Sequence, residues 1–161
     1  MKRIAVLLAV SVAVAVAGPA VASPGHPHDH GASAAVYGQP GDPAQVTRTV
    51  EVVATDNAFD RPGIRVRAGE TVRFVLLNRG ETVHELTVGD AAAQQSHRAL
   101  MAEVTDEDLA AGAHAHPNAV TAAPGERAEL VWRFAGPGRF EFACNVLGHA
   151  EQGMAGVLTV D

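Results

Sequence analysis

The stretch Phe140-Glu-Phe-Ala-Cys-Asn-Val-Leu-Gly-His-Ala-Glu-Gln-Gly-Met-Ala-Gly156 decides how the rest of the chain is read. It carries the only cysteine of the 161 residues, Cys144, followed by His149 and Met154 at equal five-residue steps on a glycine-studded loop. A thiolate with an imidazole selects copper or zinc, and a thioether joins a copper set but hardly ever a zinc one. A trigonal His₂Cys set with a weak axial Met needs one further imidazole. The best donor in the chain is His84.

Working outward, the alternation of side chains puts these residues where they can meet. Phe140, Phe142 and Cys144 fall on one face of a period-two strand, and Arg139, Glu141 and Ala143 on the other. His84 shares a face with Leu86 and Val88, while Glu85 and Thr87 point away. Both ligands are therefore expected on the apolar, core-facing side of their strands. Reading Cys144 as a structural thiol and Met154 as a core filler leaves three soft ligands on one short loop unexplained.

The pattern Cys-x4-His-x4-Met, with His84 shortly after the turn Asn78-Arg79-Gly80, resembles the small blue copper proteins, the cupredoxins. The likeness is greatest to periplasmic cupredoxins found with bacterial copper-tolerance systems. Those carry a comparable run matched here by Pro117 to Val120 and by Pro124 to Glu126. It covers roughly residues 46–161. The sequence departs from the family in having Glu85 after the first His, where many blue copper proteins have Asn. Its middle segment is also poor in Met. The resemblance implies a Greek-key β-sandwich and one copper ion per chain, held by His84, Cys144, His149 and Met154.

Composition is consistent with one exported domain. The chain is 47% hydrophobic and 19% charged, enough apolar material for a single core. Lys2 and Arg3, the apolar run Ile4 to Ala17, and Ala20-Val21-Ala22 read as a signal peptide cleaved near Ala22, hence a periplasmic protein. The run is shorter than the ~20 residues a membrane helix takes, so no stable membrane insertion is expected after cleavage. Without Lys2 and Arg3 the basic count falls from 12 to 10 against 18 acids, a net charge of about −8. That balance argues against nucleic acid as a partner and suits docking to a basic redox protein. A monomer is expected. A single cysteine cannot form an internal disulfide, and an exported lone thiol calls for something, such as a metal, to hold it.

Residues 23–45 read as a flexible Pro/Gly/Ser/Ala leader containing His26, His28 and His30. The favoured reading is a solvated tail, with weak Cu(II) binding as its alternative. From Val46 short strands alternate with turn signals: Val50/Val52, then Ile64/Val66 after Arg61-Pro62-Gly63, then Val72/Phe74/Leu76. Later Leu130, Trp132 and Phe134 share a face, and Gly156 to Val160 closes the set. Seven or so short strands indicate an all-β antiparallel sandwich. Residues 90–124 interrupt it as a helical insertion, with Asp90 capping an Ala-rich helix through Met101 and Thr105 to Asp108 forming a capping box. The insertion holds His97, His114 and His116, read as solvated histidines of a covering element in preference to a second copper site.

Other copper chemistries are excluded on the residues. A binuclear centre needs two cysteines. A multicopper oxidase wires its sites through His-Cys-His, whereas Ala143 and Asn145 flank Cys144. A nitrite-reductase-like trimer needs a second domain. Four filled positions leave no open site for a substrate, so the expectation is an electron carrier and not an enzyme. A copper-sequestering or copper-delivering protein is the alternative.

Overall fold

The computed structural model describes residues 36–112 and 114–161. The expected signal peptide and the histidines at 26, 28 and 30 lie outside the described residues. Among the described residues ten strands form two five-stranded sheets packed face to face. One has the order β1 (Gln39–Pro40), β8 (Arg127–Arg133), β5 (Thr71–Asn78), β2 (Arg48–Thr55), β3 (Ala58–Phe59). The other runs β4 (Gly63–Val66), β10 (Ala155–Val160), β9 (Gly138–Ala143), β6 (His84–Gly89), β7 (Ala119–Ala122).

The period-two residues line the space between the sheets. Val50, Val52, Val72, Phe74, Leu76, Leu130, Trp132 and Phe134 come from one side, and Ile64, Leu86, Val88, Phe140, Phe142 and Leu158 from the other. The sandwich is as expected, but its ladders are not all antiparallel. β2 pairs with β5 in parallel, Val50 beside Phe74, and β4 pairs with β10 in parallel, Ile64 beside Leu158. Alternation specifies which face a side chain takes and says nothing of strand direction. Between β2 and β5 the chain visits the opposite sheet as β4 and so returns in the same sense. At Gly156, opposite Phe142 in the β9–β10 ladder, a Cβ would collide with the Phe142 ring. Glycine there lets the ring lie flat across the strand next to the Cys144 loop.

Two boundaries differ from the sequence reading. The leader was expected to run to Gln45, yet Tyr37 is buried and stacks on Trp132, with ring centroids 5.7 Å apart. Trp132 Nε1–H donates to the Tyr37 carbonyl at 3.1 Å, and Gln39–Pro40 pair with Arg133 and Trp132. One aromatic residue and a two-residue strand are too short to show periodicity. Likewise β7 forms within residues 90–124, adding Ala119–Ala122 to the edge of β6. Helix α1 (Ala91–Met101) starts at Asp90, whose Oδ1 accepts from Ala93 N at 2.8 Å. Helix α2 (Asp106–Ala110) carries the Thr105/Asp108 capping box. Among the described residues no helix is long and apolar enough to cross a membrane.

Candidate metal centre

The sulfur and imidazole groups converge at one end of the sandwich, just past the last residue of β9 and at the first residue of β6. His84 opens β6, and the register Thr87–Ala143 sets the β6 N-terminus beside Cys144. The turn before His84 is fixed by Asn78, whose Nδ2 donates to Thr82 O (2.8 Å) and Ala122 O (2.9 Å) while its Oδ1 accepts from Gly80 N (2.8 Å). The loop after Cys144 is folded by its own backbone. His149 N–H donates to Val146 O and Met154 N–H to His149 O, and Cys144 N–H donates to Met154 O, each at 3.0 Å. Gly148 and Gly153 supply positive φ values (84° and 98°) that this tight path requires.

Cys144 Sγ lies 3.9 Å from His84 Nδ1 and 3.4 Å from His149 Nδ1, and the three donor atoms all fall within 4.8 Å of one another. Metal–sulfur and metal–imidazole bonds of about 2.3 and 2.0 Å at a trigonal angle demand a sulfur–nitrogen separation of about 3.7 Å. The observed pair brackets that value, so this donor set fits a soft metal ion with little movement. Met154 is fully buried on the same loop, tied to Cys144 and His149 through its backbone.

Protonation favours the same use. His84 Nε2 lies 3.3 Å from Asp56 Oδ1, so the ring donates from Nε2 and leaves Nδ1 bare toward the sulfur. Burial holds the His84 pKa below its usual value, opposed by the hydrogen bond its ring donates to Asp56. Asp56 is itself anchored by Glu81 N–H at 2.9 Å, the main cause that keeps its carboxyl below the usual range. Burial pushes the Cys144 thiol up to about 12, against the pull of the Glu85 and Val146 N–H groups. Without metal the sulfur is therefore a protonated thiol at neutral pH, and loading a metal must release its proton.

Residues 46–161 match the family of copper-binding proteins that includes plastocyanin and azurin. The chain belongs to this family. The copper-resistant cuproprotein CopI of Rubrivivax gelatinosus is 43% identical over 143 residues, covering 83% of this chain and 84% of the relative. The protein of the same name from Pseudomonas aeruginosa is 40% identical over 148 residues, covering 77% and 82%. Among solved structures, auracyanin B superposes with a TM-score of 0.65 at 24% identity, over 78% of this chain and 96% of its own. Auracyanin A of Chloroflexus aurantiacus, a blue copper protein, gives 0.58 at 23%, over 70% and 98%. At that identity these two neighbours establish the cupredoxin fold, and copper is the family's metal.

Several residues stand elsewhere than the sequence suggested. His97 is buried, not solvated, and its Nε2 lies 2.8 Å from Glu85 Oε1. His116 is half-buried with its ring edge-on to His97, and His114 is exposed. Neither they nor His97 join the cluster of His84, Cys144 and His149. Leu147, on the loop between Cys144 and His149, is 70% exposed. It stands on the outer surface of the loop, two residues before His149. Asp56, the partner of His84, carried no signal beyond a turn at Asp56-Asn57, because it lies 28 residues upstream.

Proposed function

We propose that this protein is an exported type 1 copper protein that exchanges single electrons, working in a cell's resistance to copper. The observation that carries the reading is the approach of Cys144 Sγ to the Nδ1 atoms of His149 and His84 at 3.4 and 3.9 Å, largely shielded from solvent. His84, Cys144 and His149 would hold the ion, and Met154, buried on the same loop, would add its thioether to the donor set. Copper bound there supplies reversible one-electron exchange between Cu(I) and Cu(II). The protein's part is to hold the donors in a geometry that suits both states, to orient His84 through Asp56, and to keep water off the sulfur. The half-buried His149 ring with exposed Leu147 beside it offers a redox partner a close approach. With four donors committed, no position remains for a substrate.

Addition of Cu(II) to the purified protein is expected to give an intense thiolate-to-copper absorption at one equivalent per chain, with copper preferred over zinc in competition. A colourless product, or a zinc preference, overturns the assignment. Met154→Leu is expected to keep the metal and raise the reduction potential, because an apolar side chain disfavours the extra charge of Cu(II). Met154→Gln should lower it, since an amide oxygen is the better donor to Cu(II). Voltammetry of the two variants checks the pair, and outright loss of copper from Met154→Leu would show that the thioether holds the ion instead of tuning it.

The second reading, sequestration or delivery of copper, is favoured by the names of the two relatives, both copper-resistance proteins. Deleting the gene and restoring it with a Met154 variant of altered potential separates the two. Rescue of growth in copper that follows the potential supports electron exchange, whereas rescue by any variant that binds copper supports sequestration.

A further inference from the structure

Glu85 lies next to His84 on β6 with its side chain on the strand face turned away from the core, yet it is completely buried. Helix α1 lies over that face. The carboxylate is met on every side: Oε2 accepts from Thr87 Oγ1 at 2.7 Å and from Asn145 N at 3.4 Å, and His97 Nε2 of α1 stands 2.8 Å from Oε1. With His97 in the tautomer that protonates Nε2, all three contacts run toward the carboxylate, as a buried charge requires. The Glu85 backbone N–H meanwhile donates to Cys144 Sγ at 3.3 Å. A second tie runs in parallel. Asn145, which follows Cys144, donates from Nδ2 to Gln94 Oε1 of α1 at 2.8 Å, and Gln94 Nε2 donates back to Thr87 O and Glu141 O on the sheet. The residue after each of two donors, His84 and Cys144, is thus bonded through its side chain to the same helix.

We propose that Glu85, held by His97, is a positioning residue of the metal centre, so that helix α1 fixes the Cys144 sulfur and sets the potential of the bound copper. The inference rests on the reading that His84, Cys144 and His149 hold copper. Two effects follow from the geometry. The carboxylate joins β6 to the Asn145 backbone while the Glu85 N–H grips the sulfur, so the ligand is held from both neighbouring residues. In addition, a negative charge buried beside the sulfur, with α1 shutting out water, favours the more highly charged state of the metal. The ring of His116, edge-on to His97 at a centroid distance of 4.4 Å, limits how far His97 can turn away from Oε1.

The test compares Glu85→Gln, His97→Phe and His97→Gln with the unmodified protein, all loaded with copper. Three quantities are read: the reduction potential, the wavelength of the thiolate-to-copper band, and, in the copper-free proteins, the hydrogen-exchange rates of the Glu85 and Asn145 amides. Glu85→Gln keeps the shape and removes the charge, so copper should stay bound with the potential shifted upward. His97→Phe keeps a ring but no donor, and should move the band and speed exchange at Asn145. His97→Gln, which can still donate to the carboxylate, should restore both toward the starting values. If Glu85→Gln leaves potential and band unchanged, or if His97→Phe lowers only the stability, α1 is a cover and the inference is wrong. Failure of the underlying reading looks different, because the unmodified protein itself would then give no thiolate-to-copper band.

Discussion

Cys144→Ser is expected to abolish the thiolate-to-copper absorption completely and to weaken copper binding by more than the ~10–100-fold that loss of an outer partner costs a metal site. Sulfur is the soft member of the donor set and the one that His84 and His149 both face. A serine hydroxyl is a poor ligand at neutral pH and cannot give the charge-transfer band. The fold should persist. The replacement is nearly isosteric, and Glu85 N–H, which donates to Sγ, can donate to Oγ instead. A buried hydroxyl with that bond costs on the order of 1 kcal/mol relative to the thiol. Circular dichroism of the variant should therefore show an intact β-sandwich while spectrophotometric titration with Cu(II) stays colourless. A variant that kept the band would show that the absorption does not arise from the thiolate of Cys144, the only cysteine of the chain.

Trp132→Ala should have the largest effect on stability without touching the metal. Trp132 is 1% exposed on β8, stacked on Tyr37 and paired in register with Val72 at the start of β5. The candidate site lies beyond the other end of that strand. Truncating a large buried aromatic costs roughly 3–5 kcal/mol through lost transfer free energy and the cavity left behind. The change also frees the segment before Gly41, whose carbonyl at Tyr37 accepts from Trp132 Nε1. Trp132→Phe, which keeps a ring and loses that hydrogen bond, should cost less. Urea unfolding of the copper-free proteins is the appropriate measurement, since bound metal adds its own stabilisation by mass action. An equal midpoint for Trp132→Ala and the unmodified protein would mean that the stack on Tyr37 contributes nothing.

The sequence by itself determined what depends on near neighbours. The soft donors Cys144, His149 and Met154 are spaced along one loop, and period-two alternation carries Cys144 and His84 inward, so a shared site follows from chemistry and strand geometry alone. The caps of α1 and α2 were legible for the same reason, because Asp90 and Thr105 act on groups within three residues. Only the tertiary structure decided the rest. It alone makes β2/β5 and β4/β10 parallel, since direction depends on how the chain crosses between sheets. It alone brings Asp56 to the far nitrogen of His84, and it buries Tyr37 from a stretch that reads as leader. The sharpest case is Glu85, which alternation turns outward. A helix laid over that face makes it a buried carboxylate beside the sulfur, held by a histidine 12 residues away. A side chain's direction is encoded in the strand that bears it, but whether that direction leads to water depends on what the remainder of the chain places there.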